Sequence, residues 1–192
     1  MRNSINKTVS GNKGFSLVEI MVVIAIMMIL AGMAVLSFNI VSNANVSQAA
    51  NSLNASFSTA RSTSMAKGLD AGTLTIKIIE GKAYTFIGSA ADGYAATAAQ
   101  MEKVSTNAIS VELAAADDAV GGAVLTEGYI AQYSFKPSGA MCIVNYSGSE
   151  APTYTDYAGE SCICYVFKNK KRGARTFIYP ETGRHDVGIW NF

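Results

Sequence analysis

The residues best placed to do chemistry lie near the start of the chain. Lys13-Gly14-Phe15-Ser16-Leu17-Val18-Glu19 runs directly into IMVVIAIMMILAGMAVL, residues 20 to 36, and Glu19 is the only charge between Lys13 and Arg61. A carboxylate that enters hydrocarbon costs up to about 3 kcal/mol, so Glu19 needs a partner. Cutting the Gly14–Phe15 bond would supply one, because the new ammonium at Phe15 stands one helical turn from Glu19. The chemistry these residues allow is an ion pair within one helical turn, were that bond cut. Gly14, Phe15 and Glu19 would carry it.

Two further sets of residues could act. Lys168, Lys170, Lys171, Arg172 and Arg175 form a basic run, read as a hairpin tip, with Arg184 close by. Such a run can hold phosphate, on DNA or on lipid headgroups, or it can be a solvated turn whose lysines guard strand ends. The solvated turn is favoured, with polyanion contact as the second reading. Cys142, Cys162 and Cys164 allow one intramolecular disulfide in three pairings. Cys162 and Cys164 are one residue apart in a strand-like run and share a face, so a bond between them would strain the backbone. That leaves Cys142 with either of the others, or three buried thiols. The single histidine, His185, lacks a Gly-x-Ser-x-Gly elbow, and neither a P-loop nor a G-x-G-x-x-G is present. Cys142, Cys162, Cys164 and His185 would ligate a metal only if their strands aligned. The expectation is no enzyme activity, no cofactor and no metal.

The apolar run is long enough to span a hydrocarbon core at 1.5 Å per residue. Ordinary signal-peptide h-regions are shorter and lack an internal carboxylate. Arg2, Lys7 and Lys13, with no acid among residues 1 to 14, place that end in the cytoplasm. Beyond the run, Val46, Ala49, Ala50, Leu53, Phe57 and Ala60 recur at helical spacing, and Lys67-Gly68 closes the stripe. The polar residues between them are poor helix formers, so packing on a sheet must hold this helix. Strands are predicted over 73–79, 83–88, 108–114, 129–136, 140–146, 161–168, 174–179 and 184–190. Residues 89–107 read as a long loop with a helical turn near Gln100–Val104, and 147–160 as a polar surface loop. One long helix and about eight antiparallel strands make an α+β plan. Its expected divisions are a basic leader (1–14), a membrane and assembly helix (15–38), an amphipathic continuation (39–68) and an extracytoplasmic β-rich head (69–192).

GFSLVEIMVVIAIMMILAGMAVLSF resembles the prepilin-peptidase signal of type IV pilins and pseudopilins: a basic leader, Gly, Phe-Ser/Thr-Leu-x-Glu and about twenty apolar residues. The resemblance implies cleavage after Gly14, N-methylation of Phe15, and a Glu19 that neutralises a neighbouring subunit's N-terminus during assembly. Met28 stands where the family often has Gly, and Leu36 where it often has Pro, so this stem lacks the built-in helix break. Ala60-Arg61-Ser62 with Ala66, the segment YSFKPSG and the closing Thr182-Gly183-Arg184 resemble H-type pseudopilins of type II secretion and related minor pilins. Residues 89–128 have no counterpart in that resemblance.

The charge balance adds a limit. Of 15 basic residues three lie in the leader, so 12 remain against 14 acidic ones, and the charge balance of the mature product gives no general signal of polyanion binding. The expected product is a single-pass precursor in the cytoplasmic membrane, then a minor pilin or pseudopilin in a surface or periplasmic filament. Its expected partners are prepilin peptidase, other pilin subunits and the membrane. A major pilin and a membrane-anchored binding module, for instance a DNA receptor, are the alternatives. His185 and Asp186 follow the closing Gly-Arg where DNA-uptake relatives are expected to carry basic residues, so DNA is not favoured.

Overall fold

The computed structural model describes residues 15–106, 109–115, 122–148, 150–157, 162–170 and 172–191, without the side chains of 34–42, 115, 190 and 191. The chain divides into two compact units, one up to Ile40 and one from Val41 onward, and helix α1 (Leu17–Lys67) runs through both. In the first unit every side chain from Phe15 to Met33 is exposed. A helix that is apolar on all sides has no face to turn to water. No proline interrupts it, and α1 continues without a break past Leu36. Among the described residues no helix is long and apolar enough to cross a membrane. The described apolar side chains of this unit end at Met33, about 24 Å along from Leu17, and the rest of the predicted span lies outside them.

In the second unit the stripe predicted for α1 is the one that is buried. Val46, Ala49, Ala50, Leu53, Phe57 and Ala60 all enter the core, and the helix ends at Lys67 with the Gly68 amide bonded to Ser64 O at 2.9 Å. The strands are β1 (Thr73–Ile79), β2 (Lys82–Gly88), β3 (Glu102–Lys103), β4 (Ser110–Ala115), β5 (Ala123–Val124), β6 (Ile130–Phe135), β7 (Met141–Asn145), β8 (Thr153–Asp156), β9 (Ile163–Lys168), β10 (Arg172–Tyr179) and β11 (Arg184–Asn191). They form two antiparallel sheets, ordered β3-β2-β1-β6-β7-β8 and β11-β10-β9-β4-β5. Leu74, Ile76 and Phe135 of the first sheet, Tyr165, Phe167 and Ile178 of the second, and the α1 stripe share one core. Phe57 is at its centre, with its ring centroid 6.0–6.4 Å from those of Tyr133, Phe135 and Tyr165. Thr176 Oγ1 donates to Ala50 O at 3.0 Å, tying β10 to α1.

All eight predicted strands form, with ends shifted by one or two residues, and three short ones join them. β3 and β5 have two residues each and β8 has four, so their sequences carry too few alternations to reveal a face. β8 lies within the predicted 147–160 loop. The predicted 89–107 loop is also corrected: it holds helix α2 (Ala90–Ala95), a 3₁₀ turn (Ala98–Gln100) and β3. This cover lies on the outer side of β1, where Thr73, Thr75 and Lys77 alternate with core-facing Leu74, Ile76 and Ile78. A β-carbon on Gly93 of α2 would stand 2.0 Å from Thr75 Oγ1, so only glycine permits this approach. The Lys77 ammonium donates to the carbonyls of Tyr94 (2.5 Å) and Ala96 (3.0 Å), and burial pushes its pKa down.

Candidate functional site

At the N-terminal end, Gly14 lies outside the described residues. Phe15 is 77% exposed, and Glu19 is the acidic residue of the first turn of α1. The Ile20 amide donates to Ser16 O at 3.2 Å, so the helix is already wound at Glu19. A carboxylate in this position faces the unpaired amides and the positive end of the helix dipole, and also any ammonium formed at Phe15. The apolar residues that follow leave it no other charged neighbour in sequence until Arg61.

Residues 9–35 match the family model described as the prokaryotic N-terminal methylation motif. The chain is type IV pilin-like. Neither a curated protein nor a solved structure matches it. The motif implies processing by a prepilin peptidase and assembly with other pilin-like subunits, and the family that bears it is one of structural subunits. In this pilin-like chain the matched segment ends two residues past Met33, inside α1.

The head of the pilin-like chain breaks up the basic run. Arg175 is not at the hairpin tip but within β10, and Lys168 is the last residue of β9, beside the turn. Lys168 Nζ pairs with Glu112 Oε1 at 2.6 Å, and the Glu112 side chain is 5% exposed, so this lysine compensates a buried carboxylate. Arg175 faces the outer side of its sheet, opposite Val166 and Gly188, whereas Arg172 shares the inner-side register of Ala174. Arg184 stands 3.7 Å from Asp186 and 5.6 Å from the Tyr179 ring centroid. Lys170 is exposed, and Lys171 lies outside the described residues. The turn itself is closed by Asn169, whose Oδ1 accepts from the Arg172 amide at 2.8 Å. Acidic partners thus engage Lys168 and Arg184, and Arg172 and Arg175 lie on opposite faces of their sheet.

The cysteines are not disulfide partners. All three are buried thiols. Cys142 sits on the outward side of the first sheet, paired across the strands with Ser134 and Asp156, and Cys164 packs with Ala114, Val166 and Phe177 on the outward side of the second. The shared core lies between these faces, well beyond the reach of a disulfide. Burial raises the Cys142 thiol pKa and pushes that of Cys164 up to about 11. Among the described residues no group of three His, Cys, Asp or Glu side chains is arranged to hold a metal ion.

The three motifs that carry the finer resemblance meet in space. Arg61 Nη2 lies 2.8 Å from where a Gly139 β-carbon would be, and a Gly183 β-carbon would stand 2.1 Å from Gly139 O. Gly183 also has a φ of +61°, and the Met141 amide donates to Pro180 O at 2.7 Å. The end of α1 and the β6–β7 and β10–β11 turns are therefore locked together, which makes this a structural clamp. Sequence reading missed the polar supports of the α2 cover. Their signal was Lys77 in the middle of TLTIKII, since a buried ammonium must have acceptors brought to it.

Proposed function

We propose that the chain is a minor pilin or H-type pseudopilin, a subunit of a type IV pilus or a type II secretion filament. The methylation motif at residues 9–35 carries this reading. It is supported by a stem with exposed apolar side chains on every side, which is stable only in lipid or against other such stems. As a helix, Phe15 to Leu36 would be roughly 33 Å long, enough for a single span with the leader in the cytoplasm and the head outside. A prepilin peptidase would cut after Gly14 and methylate the Phe15 amine. Glu19 would then pair with the Phe15 ammonium of a neighbouring subunit as the stem leaves lipid, and the subunit would join a surface or periplasmic filament. The DNA-receptor alternative is weakened by the Lys168–Glu112 and Arg184–Asp186 pairings.

Mass spectrometry of the chain from a host with a prepilin peptidase tests this. The expected product starts at N-methylated Phe15, and Gly14→Arg leaves the full precursor in the membrane. A start near Val35 would mean an ordinary signal peptide and would overturn the reading. Scarcity in sheared filaments would favour the minor subunit, and abundance the major pilin.

A further inference from the structure

The first sheet is incomplete at one place. β6 pairs with β7 only at Tyr133–Ile143, Ser134–Cys142 and Phe135–Met141. Continued, that register would join Gln132 to Val144 and Ala131 to Asn145, yet no ladder pair is made there. The outer neighbours are in place: β1 pairs with β6 as far as Ile130, and β8 pairs with β7 at Val144 and Asn145. The two strands diverge between intact neighbours, and a cleft of about 550 Å³ opens between them, lined by both strands, Tyr94, Tyr146 and Glu150. This volume is within the range of ligand sites.

The walls are built and poised. Tyr146, the residue after β7, packs edge-on against Tyr94 of α2, with centroids 5.4 Å apart and planes at 83°. Gln132 is 4% exposed, and its amide nitrogen is fixed by donation to Thr75 Oγ1 (2.9 Å) and Ala90 O (2.8 Å). Those two bonds fix which way the amide is turned and leave its oxygen as an acceptor at the cleft. The Asn145 amide nitrogen donates to Thr155 Oγ1 at 2.9 Å, which leaves its oxygen free in the same way. Among the described residues, Glu150 is the only charged side chain in the lining.

We propose that this cleft binds an extended peptide segment of a partner protein, with a basic side chain of the segment directed to Glu150. Two facing strand edges without ladder partners offer main-chain donors and acceptors at strand spacing, and another strand has the matching pattern. Acceptor oxygens, a carboxylate and two aromatic rings together select a side chain that donates and carries positive charge. The proposal concerns the head alone and stands whether the filament is a pilus or a secretion pseudopilus.

The test uses the full chain in detergent micelles and dye-labelled, acetylated hexapeptide amides that alternate valine with lysine, glutamate or serine. Fluorescence anisotropy should show the lysine series binding at least fivefold tighter than the glutamate series, with Glu150→Lys reversing the order. N-methylation of alternate main-chain amides should weaken binding at least tenfold. Ala151→Trp, at an exposed lining position, should block the cleft without touching the core. Binding of every series weaker than about 1 mM would overturn the proposal. So would equal binding of the N-methylated peptide, indifference to Ala151→Trp, or equally strong displacement by butylammonium or methyl glucoside, which would make this a small-ligand site.

Discussion

Single side chains separate residues that serve the fold from residues that serve assembly. Lys168 and Lys170 are two positions apart and have different roles. Lys168→Ala strands the buried Glu112 carboxylate and should cost about 2 kcal/mol in a urea titration. Lys170→Ala, at an exposed turn, should stay within about 0.5 kcal/mol. Equal effects would mean that the Glu112 pairing contributes nothing to stability. The Cys164 thiol, with its pKa pushed up to about 11, has almost no thiolate at pH 7.5. Alkylation there should proceed only as fast as the head unfolds, and rapid labelling of the native chain would show that the site opens. Glu19→Ala should be cleaved normally yet enter filaments poorly in competition with wild type. Because the substitution lowers the cost of keeping the stem in lipid, extraction should become harder. Normal incorporation would remove the role proposed for this carboxylate.

Among the elements, α1 behaves as two helices with different solvents. From Val46 to Ala60 its stripe is covered by two sheets, whereas the side chains from Phe15 to Met33 are exposed among the described residues. Phe57→Ala removes the ring at the meeting point of three aromatic neighbours and should destabilise the head by about 3–5 kcal/mol. The turn between β10 and β11 is equally demanding. An alanine at Gly183 would be strained at its positive φ and would meet the Gly139 carbonyl, which is backbone and cannot swing away. Gly183→Ala should therefore lower the thermal midpoint by several degrees. An unchanged midpoint would show that the two turns can part without loss.

Viewed as a whole, the head should be weakened by alkali more than by mild acid. Burial raises the pKa values of Tyr133, Tyr165, Cys142 and Cys164, so the unfolded chain loses these protons first as pH rises. Their contribution is complete below about pH 8 and is lost as pH climbs through the ordinary thiol and then phenol ranges. Lys77, pushed down by burial, acts in the opposite sense, as one group against four. The urea midpoint should be level from pH 7 to about pH 8 and fall above it; a rise would overturn this account. The divided basic residues carry a second expectation. The full chain in micelles should bind duplex DNA negligibly at physiological salt, and micromolar binding lost on removing Lys170, Lys171 and Arg172 together would restore the receptor reading.

Sequence alone determined whatever depends on local spacing. The cleavage signal, the apolar stem, the buried stripe of α1 and eight strands each repeat over enough residues to expose their period. Charge order along the chain likewise marked Glu19 as the lone carboxylate of the stem. Tertiary structure decided what depends on pairing between distant segments. Lys168 looked like part of a basic tip until β4 brought Glu112 beside it, and three cysteines open to one disulfide became thiols on opposite outward faces. The cover over β1 was illegible because six helical residues and two-residue strands are too short to have a readable pattern; contacts with Lys77, Thr75 and Gln132 hold it instead. The opening between β6 and β7 was equally hidden. A missing ladder pair leaves no mark on the sequence of either strand, since each still alternates against its other neighbour.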